Sequence, residues 1–254
     1  MSELILRNPH SVMAAIRTRP RDVQEVRINQ RTANDAWKDV AAAAQAAGVV
    51  VRPFGGRPGT AKRGGRGGSG RGGGGHEGRA GAAEASVRER DDVLLEPLFA
   101  GAQERPGVWV ALDQLQDPHN LGAIFRTAAF FGVRGIVLTK DRSAPLSATA
   151  YDVASGGVEH VPFSLQTNLS RAIEEAKTSG LWVLGTSEHA EQDLAAIDRD
   201  RSWLLIIGNE ERGLRRLTLE HCDEICRLSP RGEVTSLNAS VAAGICIAGL
   251  SGAI

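Results

Sequence analysis

From residue 108 onward, short apolar runs alternate with amphipathic stretches, and that alternation predicts an α/β architecture. Strands are expected in GVWVALD (107–113), from Arg134 to Thr139, in a short run from His160 to Phe163, in LWVLGTS (181–187), from Ser202 to Gly208 and from Glu224 to Leu228. Helices are expected between them. They run from Asn120 to Phe131 (ended by Gly132), Ala148 to Ser155, Leu169 to Ser179 (ended by Gly180), Leu214 to His221 and Leu237 to Leu250. Strands that alternate with helices imply a parallel sheet covered on both faces. Residues 1–54 form a smaller α/β pattern. A helix from His10 to Ile16 follows the Asn8-Pro9 turn, a strand covers Val23 to Ile28, an alanine-rich helix runs from Asp35 to Ala47, and VVVRPF (49–54) is a strand.

The composition changes sharply after that. Gly55 to Gly75 holds 12 glycines, four arginines, one lysine and no acid in 21 residues, with RGG triplets starting at Arg63, Arg66 and Arg71. So little apolar surface cannot offset the entropy of ordering, and the tract reads as a flexible linker. Arginine also pairs phosphates and stacks on bases, so Arg63, Arg66 and Arg71 are candidate RNA contacts; both readings can hold together. Overall charge names no partner, because 30 basic residues balance 30 acidic ones. Its distribution does. Residues 1–75 hold 13 Lys/Arg against 5 Asp/Glu, and residues 76–254 hold 17 against 25. A basic front on an acidic body suggests an arm for a polyanion such as nucleic acid. Three cysteines are too few for a disulfide framework, and Cys222 and Cys226 lack a second ligand pair, so no metal site is expected. With no leader and no run of about 18 apolar residues, a cytoplasmic protein is expected.

Three polar stretches interrupt this framework. In DPHNLGAIFRTA (117–128), helix capping accounts for Asn120. It does not account for Arg126, which sits among Ile124, Phe125, Ala128 and Ala129 and calls for an anionic partner if buried. In GNEERGL (208–214), glycine lets a ligand approach the backbone, and Glu210 reads either as a helix-start acid or as a pocket wall. In SLNAS (236–240), Ser236 is the natural N-cap and Asn238 falls on the first turn, where it either caps or presents its amide to a ligand. Loops at the carboxyl ends of parallel strands are where open α/β sheets bind ligands, so the three stretches are expected to wall one pocket. Neither GxGxxG after a strand, nor GxxxxGK[ST], nor GxSxG occurs, which argues against hydride transfer, nucleotide hydrolysis and serine hydrolysis.

Taken in order, NLGAIFRTA, LLIIGNEERGL and LSPRGEVTSLNASVAAG resemble the three signature motifs of the SpoU/TrmH family, RNA ribose 2′-O-methyltransferases of the SPOUT superfamily. The resemblance spans residues 108–254. It implies a SPOUT methyltransferase domain over residues 100–254, with a parallel sheet, a C-terminal trefoil knot, S-adenosylmethionine (SAM) bound in the knot, and a homodimer. RNPHSVMAAI and HEGRAGAAEA resemble parts of a small L30e-like RNA substrate-binding domain. That domain would cover residues 1–54 and return at about 76–90, with 55–75 inserted. The subgroup so implied methylates a guanosine ribose of 23S rRNA; a tRNA substrate, or a non-catalytic RNA-binding protein of the same fold, are the alternatives.

Motif position implies roles for single residues. Gly208, Leu228 and Leu237 would hold SAM largely through backbone groups, Gly185 would border the same pocket, and Asn120, Arg126, Glu210 and Asn238 would be the polar active-site positions. Glu211 stands where many relatives carry glycine. Arg126 is implied to reach across the dimer. A guanidinium pKa of about 12.5–13.8 makes it a poor literal base, so stabilising a developing alkoxide and gripping a phosphate is the expected role.

Overall fold

In the first of two units, Met1–Arg88, Val23, Val26 and Ile28 are the buried residues of the run Val23–Ile28, and a register shift between Val23 and Glu25 interrupts the strict alternation of a strand. The computed structural model describes residues 2–29, 31, 33–54 and 83–253; Arg63, Arg66 and Arg71 lie outside them. The unit runs β1 (Glu3–Leu6), α1 (Pro9–Thr18), β2 (Val23–Ile28), α2 (Asp35–Ala46), β3 (Val50–Pro53) and β4 (Ala83–Arg88). The sheet order is β1-β4-β2-β3, with β2 and β3 parallel and β4 antiparallel to both its neighbours. Asn8 and Asn34 cap the two helices by accepting from the backbone N–H groups of His10 and Trp37. Val26, Ile28, Ala85 and Val87 are buried, as are Val12, Ala15, Val40 and Ala44 of the helices. On β2 and β4, Arg27 pairs with Glu84 at 3.4 Å, a partly solvated contact of small energetic weight.

The second unit, Glu89–Ile254, comprises α3 (Leu95–Phe99), β5 (Val108–Leu112), α4 (Pro118–Phe130), β6 (Gly135–Thr139), α5 (Ala148–Ala154), α6 (Gly157–His160), β7 (Phe163–Gln166), α7 (Leu169–Thr178), β8 (Trp182–Thr186), β9 (Gln192–Asp193), β10 (Trp203–Ile207), α8 (Arg216–Glu220), β11 (Glu224–Arg227) and α9 (Ala239–Leu250). Its seven strands are all parallel, in the order β7-β6-β5-β10-β8-β11-β9. Every residue of β5, β6 and β10 is buried, as expected for a sheet covered on both faces. Trp109, Ala111, Leu204 and Ile206 share one core with Leu98 and Phe99 of α3 and Ala172 and Ile173 of α7. Helices α4 and α9 pack on each other, and α9 also packs on β10.

One expected strand is displaced. His160 ends α6, and the strand begins at Phe163. Ser155 and Gly156 take positive φ (49° and 96°), which stops α5 and lets the chain re-enter a helical turn. Gly157 then packs so tightly that an added Cβ would lie 2.5 Å from the carbonyl oxygen of Phe125. No described helix is long and apolar enough to cross a membrane.

Candidate active site

The strand order sets the carboxyl ends of β5, β10, β8 and β11 side by side. Loops leaving β8, β10 and β11, together with the approach to α9, enclose a cavity of about 580 Å³. That lies within the roughly 300–1,000 Å³ of small-molecule sites. Residues 209–214, 226–231 and 234–237 contribute most of its wall, and Thr186 and Ser187 come from the end of β8.

The loop after β10 is held by its own side chains. Asn209 donates from Nδ2 to the Gln114 carbonyl oxygen at 2.9 Å, and its Oδ1 accepts from the backbone N–H groups of Glu211 (3.1 Å) and Arg212 (3.2 Å). Asn209 and Gly213 also exchange both backbone hydrogen bonds. Below the loop, Asp113 at the end of β5 is 1% exposed and binds Arg215 through two contacts of 3.0 and 2.9 Å. The Thr218 hydroxyl donates to the same carboxylate at 3.1 Å. A buried carboxylate needs such partners, and here they tie the loop and α8 to the sheet.

Glu210 projects from this stiffened loop. Its Oε1 accepts from Asn120 Nδ2 at 3.1 Å, and its Oε2 accepts from the Gln116 N–H and from Asn209 Nδ2, each at 3.4 Å. Asn120 is 6% exposed and is not the cap of α4; Asp117 is, accepting from the His119 N–H at 2.8 Å. The capping role expected of Asn120 is therefore replaced by a contact with Glu210.

Glu210, Leu228 and Leu237 line the cavity, whereas Gly208 and Gly185 are not on its wall. A Cβ on Gly208 would lie 2.4 Å from the carbonyl carbon of Gly213, and one on Gly185 would lie 2.7 Å from Cys222 Sγ. These two glycines permit close packing under the loop and against Leu214 and Cys222, which flank α8. Asn238 is exposed and caps α9, accepting from the Ser240 N–H at 2.9 Å and its hydroxyl at 2.6 Å. The helix thus starts two residues later than expected, and Ser236, the expected cap, lines the cavity instead. Arg126 is exposed and not buried as its apolar neighbours implied, because Ile124, Phe125 and Ala128 take the inward positions.

Sequence reasoning passed over Asp113, Asn209 and Arg215. The available signal was an acid closing the apolar run VWVAL, directly at a strand's carboxyl end. Cys226 and Cys246 also line the cavity, and the hydrogen bond that the Cys246 thiol donates to Cys226, together with burial, pushes the Cys246 thiol up. Among the described residues, no cluster of three His, Cys, Asp or Glu could hold a metal ion.

Comparison with known proteins places this architecture. Among solved structures, the SpoU methyltransferase AviRb from Streptomyces viridochromogenes, in complex with AdoMet, shares the fold, with a TM-score of 0.76 at 19% identity over 99% of this chain and 90% of that one. The AdoMet-bound rRNA methyltransferase from Sinorhizobium meliloti gives 0.74 at 21% identity, covering 99% and 88%. Among curated proteins, the 23S rRNA (guanosine-2′-O-)-methyltransferase RlmB of Nitrosomonas europaea is 44% identical over 167 residues, 66% of this chain. That match spans 64% of the Nitrosomonas protein, just under two thirds of its length. The RlmB of Ralstonia nicotianae is 37% identical over 244 residues, 94% of this chain and 91% of that one. Residues 107–248 match the SpoU rRNA Methylase family model, and this chain belongs to that family.

Proposed function

We propose that this protein is a SAM-dependent RNA methyltransferase that modifies the 2′-hydroxyl of a guanosine ribose in 23S rRNA. The observation that carries this reading is the Asn120–Glu210 contact, which joins the first motif to the second at a cavity also walled by the third. The names of the Nitrosomonas and Ralstonia relatives support the choice of substrate.

The cavity suits SAM. Leu214, Leu228, Leu237 and Ala242 offer apolar surface for a purine, and the exposed main chain of the 228–237 loop offers donors and acceptors for its edge. Bound SAM supplies a methyl group already activated by its sulfonium, so the chain has chiefly to align a ribose oxygen and stabilise charge on it. Glu210, oriented by three donors, accepts a hydrogen bond from the ribose hydroxyl. Arg126 makes no ion pair among the described residues, which leaves its guanidinium for the oxyanion and an adjacent phosphate. Asn238 sets the start of α9 and with it the third motif loop.

The same reading includes a homodimer in which Arg126 serves the partner's site. Phe130 on α4 is 82% exposed and Val241 on α9 is 50% exposed. Helix α9 also carries no charged residue, and an apolar surface of this kind favours burial against a second copy. A C-terminal knot, an L30e-like front domain that binds RNA with Arg63, Arg66 and Arg71 of the following tract, and a cytoplasmic location complete the proposal. The test is incubation with labelled SAM and 23S rRNA transcript, followed by mapping of ribose methylation. One 2′-O-methylguanosine is expected; methylation of tRNA alone, or none by a protein that binds SAM, defeats the proposal.

A further inference from the structure

Three arginines come from one short stretch after β10, and two already have partners. Arg215 binds Asp113, and Arg216 lies 3.6 Å from Glu220. The third, Arg212, has no carboxylate partner among the described residues; it is exposed and lines the cavity. Its backbone N–H is pinned by Asn209 Oδ1, so the guanidinium is carried by a loop that is already ordered. On the opposing loop, Arg231 is likewise exposed, lines the same cavity and makes no ion pair among the described residues. Glu210 and Glu211 also line the cavity, but neither Arg212 nor Arg231 is ion-paired with them, so both guanidinium groups are open to an external anion.

We propose that Arg212 and Arg231 form a clamp for the RNA phosphates that flank the target ribose, so that they position substrate and leave the cofactor's affinity unchanged. This rests on the methyltransferase reading above. Phosphate matches the geometry of a guanidinium fork, and a pre-ordered loop lowers the entropic cost of the contact. Glu210 is two residues from Arg212, which would place a gripped phosphate next to the carboxylate that meets the ribose. The competing anion is the carboxylate of SAM's methionyl group, and the experiment separates the two.

The test compares the full-length protein with Arg212→Gln, Arg231→Gln and the double variant. Three quantities are measured: affinity for 23S rRNA transcript across a salt series, SAM affinity by calorimetry, and methylation rate. Each lost phosphate contact should lower the slope of log K against log salt by about 0.7, and by about 1.4 in the double variant. SAM affinity should stay within about twofold of wild type, with KM for RNA raised more than kcat is lowered. An unchanged salt slope overturns the clamp, and so does a loss confined to SAM binding. Failure of the wild-type protein to methylate any RNA would instead sink the underlying functional reading, even if the slopes shift.

Discussion

The Nδ2 of Asn120 lies 3.1 Å from Oε1 of Glu210, across 90 positions of sequence, and joins the first turn of α4 to the loop that follows β10. Because Asn120 is 6% exposed, its amide cannot be replaced cheaply by water. Asn120→Ala should cost about 1–2 kcal/mol of stability and lower methylation more than SAM affinity. Urea denaturation with parallel turnover and calorimetry checks both parts; unaltered turnover would count against Glu210 as an oriented acceptor.

Asp113 should be the costlier loss. Its carboxylate is buried and binds Arg215 and Thr218, but the Arg215 side chain is 52% exposed and can rehydrate. Asp113→Ala should therefore fall at the low end for a broken buried pair, at about 3 kcal/mol. Weaker SAM binding should accompany it, because the loop loses its anchor. Denaturant midpoints and a SAM titration measure the two effects.

At Gly208, the atoms that a Cβ would strike are all backbone, with Gly213 C at 2.4 Å and Leu214 N at 2.6 Å. No side chain can swing away. Gly208→Ala should destabilise the fold by about 2 kcal/mol or more and reduce SAM affinity, whereas alanine at Gly232, which has nothing within 4 Å, should be tolerated.

Arg126 is exposed, so Arg126→Ala should leave the melting temperature and SAM affinity unchanged. Methylation should fall by about 10²-fold or more if the guanidinium stabilises the developing oxyanion. Near-wild-type single-turnover rates on 23S rRNA would remove it from the chemistry.

Burial pushes the Cys222 thiol up to about 12 from its ordinary value of 9.0, so the folded state holds that proton more tightly than the unfolded chain. The associated stabilisation is complete below about pH 9 and is lost as pH rises towards 12. Cys222→Ser, which keeps a donor for the Thr218 carbonyl, should show less alkaline loss than wild type over that window. Urea midpoints at pH 8, 9 and 10 provide the comparison.

Much of the second unit could be read along the chain because its central strands are continuous apolar runs and two of its longer helices, α4 and α7, end at glycines. Gly132 and Gly180 both take positive φ, which marks where α4 and α7 stop. The mismatch at His160 arose because a left-handed Ser155 restarts a helix, and residue type alone gives little sign of that conformation. For the site, sequence order showed that Glu210 belongs to a loop after a strand, but not that Asn120 would meet it, since that contact depends on β10 lying beside β5. Asp113 and Arg215 stayed hidden for the same reason: charges 102 residues apart pair only once the sheet is assembled.

The late insertion of β10 between β5 and β8 has a consequence for synthesis. β5, β6 and β7 can zip together as they leave the ribosome, but β8 pairs only with β10 and β11, both of which are translated after it. Until residues 203–207 emerge, the growing polypeptide therefore exposes two unsatisfied edges with a slot between them, open to mispairing or to chaperone capture. The cavity wall is complete only after α9 has emerged, because Ala242 and Cys246 belong to it, and termination between β11 and α9 would yield a product that carries all seven strands and lacks that side of the cavity.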